Sequence, residues 1–323
     1  ARIARAGTLD LALKQGFSTI DEARFARNVR FAEGDLETRS AAARYGITGG
    51  VLELTGSEPG VAVPHIVNDR MSVDATRIDV TLAGPKLKAT GNVKSVLQPK
   101  KSGAPAASGG RLPSMLKSDQ PVNVTAGDLQ YDGAASRAIY TGTAQLWQGE
   151  TAIAADVITI DDKSGDLLAS GTARTTVMLE QVGKDKKTKE RVRSIGTGKE
   201  FKYEDGTRKA TFTGEAHLSG PQGDLVAARI ELFLKAGASE VDRAEGYDEL
   251  TLRENSRTTT GKRLTFFSAD ERYLVTGTPV KVLDECGRET LGRTLTFFRA
   301  TDRIVVDGNE QVRTSTKGGA NCK

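Results

Sequence analysis

Apolar and polar residues alternate in short runs along most of this chain. Ile230, Leu232 and Leu234 fall on one face of their run, opposite Glu231 and Phe233. Ala144 and Leu146 lie opposite Gln145 and Trp147, and Ile158 and Ile160 share a face with Asp156, opposite Val157 and Thr159. Successive strand residues point to opposite sides of a sheet, so a period of two predicts half-buried strands. Strands are expected over 8–14, 61–67, 71–81, 86–98 and repeatedly after 121. Asp-Gly at 132–133 and 205–206 and Ser-Gly at 164–165 supply hairpin turns between them. Phe25, Val29 and Phe31 keep the same rhythm, which favours strand over helix near 20–34. The segment Ser40–Gly46 has helix propensity, but it is short and sits between strand-like neighbours, so strand is expected there too.

One unit recurs. Gly261–Gly277 (GKRLTFFSADERYLVTG) returns 31 residues later as Gly292–Gly308 (GRTLTFFRATDRIVVDG), with seven further identical positions. A weaker pair is AIYTGTAQLWQG at 138–149 and TFTGEAHLSG at 211–220. Each copy reads as two short strands bounded by Gly, and such copies stack into an elongated body. The doublets Phe266/Phe267 and Phe297/Phe298 place one ring on each side of their strands.

Composition narrows the class. Gly contributes 35 of 323 residues and aromatics only 5%, which fits many tight turns and not the long apolar strands of a parallel α/β enzyme. Residues 99–114 (PKKSGAPAASGGRLPS) lack apolar periodicity and read as a linker or loop, dividing the chain into 1–98 and 115–323. A net charge of +4 is too small for a nucleic-acid signature. The basic stretch 184–193 reads as a solvated hairpin loop, with contact to an anionic partner as the sharper alternative. No run of 18 apolar residues predicts a membrane span. The chain opens without Met, as a mature exported protein or a trimmed chain would. Cys286 and Cys322 are open to either reading, a disulfide or two free thiols.

Catalytic signatures are missing. The sequence has no GxSxG, GxGxxG, phosphate loop or HExxH. His65 and His217 read as structural or surface residues, and two His with two Cys make no metal site. Asp161, Asp162, Asp270, Glu271 and Asp302 recur at turns, where solubility and turn formation explain them. No catalytic residue, metal ligand or cofactor is therefore assigned.

The repeats carry a resemblance. Thr141-Gly142-Thr143-Ala144 reads as a strand ending, Ile153, Ala155, Asp156 and Ile158 as the next strand, and Gly165, Leu167, Ala169, Gly171 and Ala173 as the turn and strand after it. A second match runs from Ala210 through Gly214, Ala216, Leu225, Ala227, Ile230 and Ala244 to Gly246, with fainter ones at 31–56 and 72–96. This serial pattern resembles the OstA-like domains of lipopolysaccharide transport, found in LptA, LptC and the N-terminal part of LptD. The resemblance implies an all-β fold, an elongated open β-jellyroll of stacked antiparallel strands. It implies a periplasmic protein that shields lipopolysaccharide acyl chains in an apolar groove. It further implies end-to-end joining to LptC-like and LptD-like partners through edge strands, with self-association as another use of those edges and no nucleic acid or catalysis. Which of the three the chain corresponds to stays open, as does one long jellyroll against two.

On alternation and repeat register, the lipid-facing candidates are Leu146, Ile158, Ile160, Leu218, Ile230, Leu232, Leu234, Phe266 and Phe297. Each is equally readable as ordinary core. The competing functions are a structural or adhesive β-solenoid with a dry interior, and a polysaccharide-acting β-helix enzyme, for which a single Trp offers a poor platform.

Overall fold

The computed structural model describes residues 2–14, 19–82, 84, 86–99, 111–182, 189–221, 223–237, 240–254, 257–298, 303–307 and 313–316. Every named element among them is a β-strand. The chain forms two compact units, Ala1–Gly149 with Ala154–Leu167, and Glu150–Ile153 with Leu168–Lys323.

Unit 1 contains β1 (Arg2–Arg5), β2 (Thr8–Leu13), β3 (Ile20–Glu33), β4 (Leu36–Gly46), β5 (Val51–Thr55), β6 (His65–Val67), β7 (Met71–Asp74), β8 (Arg77–Thr81), β9 (Lys86–Leu97), β10 (Val122–Asp132), β11 (Arg137–Gln148) and most of β12 (Thr151–Asp161). Unit 2 contains β13 (Leu167–Val182), β14 (Lys189–Glu204), β15 (Lys209–Gly220), β16 (Gly223–Leu234), β17 (Val241–Glu254), β18 (Arg257–Phe267), β19 (Arg272–Asp284), β20 (Arg288–Phe298), β21 (Arg303–Asp307) and β22 (Arg313–Thr316). The strands expected at 20–34 and 40–46 are present as β3 and β4. The segment 99–114 falls inside unit 1, where β9 and β10 pair directly from Val122↔Leu97 to Asp132↔Lys86. Residues 100–110 of that segment lie outside the described residues.

Neighbouring strands run antiparallel. The first and last long strands share one design, each carrying two short strands end to end along one edge: β1 and β2 on β3, and β21 and β22 on β20. Between β4 and β9 the long strands give way to pairs of short ones, with β5 and β6 on β4 and β7 and β8 on β9.

The long strands do not end at their glycines, as alternation suggested. They bend there. β11 passes through Thr141–Ala144 with Gly142 at φ 81° and Thr143 at φ 57°, and its register with β10 shifts between Thr125 and Asp128. The same two-residue left-handed step recurs at Gly91-Asn92, Gly171-Thr172, Gly214-Glu215 and Asp248-Glu249. Two consecutive left-handed residues drop out of the ladder as a bulge and swing the strand sideways without breaking it. The bend also resets the alternation. In β12 the buried set passes from Ile153 and Ala155 to Ile158 and Ile160, and Asp156, placed beside Ile158 by strict alternation, is exposed.

Within unit 2 the long strands thus contribute one half to each of two half-sheets that face one another. Gly196 and Phe212 show this in unit 2. Gly196 pairs with Leu218 beyond the bend of β15, and Phe212 lies before it. A Cβ on Gly196 would meet the Phe212 ring at 2.2 Å, so only Gly lets the ring cross the interior. A folded-over antiparallel sheet of this kind is a β-jellyroll.

Candidate functional site

Register in unit 2 lines up one interior row across seven strands: Ala210, Leu232, Ala244, Phe266, Tyr273, Phe297 and Ile304. The Phe266 and Tyr273 ring centroids are 4.7 Å apart, and those of Tyr273 and Phe297 6.1 Å. Between this row and the facing half-sheet lies a cavity of about 220 Å³. Leu232, Ala244, Leu264, Phe266 and Tyr273 form one wall. Leu179, Val192, Leu218, Leu225 and Leu252 form the other. Strands bent at mid-length keep their apolar faces inward on both halves, which is why Leu225 and Leu232 of one strand reach opposite walls.

Polar residues rim this space. Lys235, Glu240, Ser268 and Glu271 stand on the side of the β16–β17 and β18–β19 turns, and Ser219, Gly220, Pro221 and Gly223 on the side of the β15–β16 turn. Lys235 Nζ is 3.0 Å from Glu240 Oε2.

The sequence candidates separate by place. Leu218, Leu232 and Phe266 line the cavity together. Phe297 lines a smaller one with Tyr273, Val282, Leu295 and Ile304. Ile230 and Leu234 are buried in unit 2 but belong to neither lining. Leu146, Ile158 and Ile160 are each 0% exposed in the core of unit 1. The two Phe doublets behave as expected: Phe266 faces inward, while Arg272 lies over the Phe267 ring on the outer side at 4.7 Å. Alternation alone missed Tyr273, Leu225 and Leu252. The repeat held a signal for one of them, since Tyr273 occupies the position that Ile304 takes in the second copy.

Away from the cavity, ionisable groups sit in structural pairs. Burial pushes the Glu245 carboxyl upward, but the Tyr247 hydroxyl, Arg263 and Arg243 together hold it below the ordinary carboxylate range. Arg263 Nη2 donates to it at 2.8 Å. His65 Nδ1 lies 2.8 Å from Asp74, and His217 Nε2 3.1 Å from Asp224. Asp161 accepts the backbone N–H groups of Lys163 and Ser164, and Asp284 those of Cys286 and Arg288. Turn formation therefore explains Asp161 and Asp284, while Asp270 pairs with Arg272 and Glu271 stands at the cavity rim; Asp302 and residues 184–188 of the basic stretch lie outside the described residues. Cys286 is disulfide-bonded, and Cys322 also lies outside the described residues. Among the described residues no cluster of His, Cys, Asp and Glu could hold a metal ion, and no helix is long and apolar enough to cross a membrane.

Bent strands, two facing half-sheets and an apolar interior opening at a polar rim define a β-jellyroll with an internal apolar cavity. The chain is similar, over residues 123–238, to the family described as LptA/(LptD N-terminal domain) LPS transport protein. Among solved structures it is similar to LptH, the LptA-homologous periplasmic component of the lipopolysaccharide transport device of Pseudomonas aeruginosa. That match has 18% identity and a TM-score of 0.30, and covers 35% of this chain and 76% of the other. No curated protein matches.

Proposed function

We propose that unit 2 shields acyl chains of lipopolysaccharide in its interior cavity during passage through the periplasm, and that the chain is a non-enzymatic link between inner- and outer-membrane components. The observation that carries this reading is the cavity itself, walled by Leu218, Leu232, Phe266 and Tyr273 within a chain similar to a transport family. Each methylene buried there contributes about 0.8 kcal/mol. Ten methylenes thus offer on the order of 8 kcal/mol, a micromolar-scale gross affinity before the costs of association. A carrier needs affinity of that modest size, because it must release its cargo.

The terminal rungs support the linking role. β2 pairs with β3 and carries Leu9, Leu11 and Leu13, which are 52%, 49% and 46% exposed. An edge strand with an exposed apolar face is an aggregation hazard unless a partner adds a strand to it. LptC-like and LptD-like jellyrolls, or a second copy, would satisfy the two ends in this way.

Co-purification tests the reading. The delipidated protein should retain purified lipopolysaccharide through gel filtration and lose it when the lipid is chemically deacylated. Equal retention of intact and deacylated material, or of neither, would remove acyl shielding and leave a structural module.

A further inference from the structure

Behind the apolar row, on the outer surface of the same half-sheet, register aligns a second row: Lys209, Phe233, Arg243, Phe267, Arg272, Phe298 and Arg303. Cation and aromatic alternate strand by strand. The Arg243 guanidinium lies 4.1 Å from the Phe233 centroid, and that of Arg272 4.7 Å from the Phe267 centroid. The rings hold these guanidiniums close against the sheet, which lowers the entropy lost when they bind. Carboxylates stand beside three of these cations: Arg243 Nε is 3.0 Å from Glu245, Arg272 Nε 3.0 Å from Asp270, and Lys209 Nζ 2.9 Å from Glu204. The Arg243 and Arg272 side chains remain 41% and 35% exposed, and each guanidinium has further donors besides Nε.

The spacing selects the ligand. Strands stand about 4.8 Å apart, so cations on every second strand repeat at about 9.6 Å and span about 29 Å from Lys209 to Arg303. Nucleic-acid phosphates are denser, one per about 3.4 Å of helix axis on each strand of a duplex. A linear glycan with one carboxylate per disaccharide has its charges two sugar rings apart, on the scale of two strands. We propose that this outer row is a binding track for a linear acidic polysaccharide with a charged disaccharide repeat. It is separate from the lipid cavity on the opposite face of the sheet.

Hyaluronan oligosaccharides are suitable probes, since they carry one glucuronate per disaccharide. By calorimetry on the full chain, the octasaccharide, whose four uronates match the four cations, should bind at least about tenfold tighter than the tetrasaccharide. Its affinity should fall several-fold between low and physiological salt. The double variant Arg243→Gln/Arg272→Gln should lose at least about tenfold in octasaccharide affinity while still capturing lipopolysaccharide, which shows it to be folded. Should that variant not fold, the length and salt dependence of the unaltered chain decide. The track is overturned if the octasaccharide binds no tighter than the tetrasaccharide or neutral dextran. It is equally overturned if an oligothymidylate of equal charge binds better, because spacing would then not be what is read.

Discussion

Ala244 offers a way to fill the cavity without touching its framework. It sits in the interior row between Leu232 and Phe266 and lines the space of about 220 Å³. Ala244→Leu adds three carbons. In a packed core such enlargement forces strained rotamers and costs about 1–3 kcal/mol. Here the added carbons enter empty apolar space, where each buries about 0.8 kcal/mol of hydrophobic free energy, or about 2 kcal/mol in all. For a unit of this size that corresponds to a rise in Tm of about 4–8 °C for the lipid-free protein. The same carbons remove part of the volume an acyl chain would occupy, so lipopolysaccharide capture should weaken about tenfold. Ala144→Leu is the control. Ala144 is 0% exposed in unit 1, so that enlargement should lower Tm. Thermal melts by circular dichroism, paired with lipid titration, give both readouts. A lower Tm for Ala244→Leu, or unchanged lipid capture with a higher one, would refute the claim that this space is an open binding volume.

Gly196→Ala would place its Cβ 2.2 Å from the Phe212 ring, and overpacking should cost at least about 1–3 kcal/mol by urea denaturation. Adding Phe212→Leu should restore part of that loss, and a purely additive double variant would argue against the cross-sheet contact. Gly214→Ala forces a side chain into φ +73°, with its Cβ 2.8 Å from Lys199. It should cost about 1–2 kcal/mol, and no loss would mean that the bend tolerates any residue. Glu245 has its carboxyl held below the ordinary range, so its stabilisation is present above the unfolded value of about 4.3 and is lost as pH falls through the lower folded one. Glu245→Gln should therefore shrink the stability difference between neutral and strongly acidic pH, which chemical denaturation across that range would reveal.

The strands were legible because burial on one face of a sheet imposes a period of two, and the interior residues of β16 obey it without interruption from Ile230 to Leu234. The mid-strand bends were not legible. A Gly that ends a strand and a Gly that folds one look alike in sequence, and only the continued pairing of β10 with β11 past Gly142 tells them apart. That ambiguity made long bent strands read as short hairpins and put Asp156 on the wrong face. The cavity was half legible for a related reason. Leu232 and Leu146 carry the same alternation signal, and what separates them is the filling of the space opposite, a property of residues far apart in the chain. Phe266 and Tyr273 meet through cross-strand register, which the repeat fixed for both copies at once.

The most direct test of the central claim is site-specific photocrosslinking to lipopolysaccharide in the intact protein. A photoreactive residue at Phe266 or Leu232, on the cavity wall, should capture the lipid through its acyl chains. The same residue at Ile158, in the packed core of unit 1, should capture none. Capture from Ile158 with none from Phe266 and Leu232 would contradict the account.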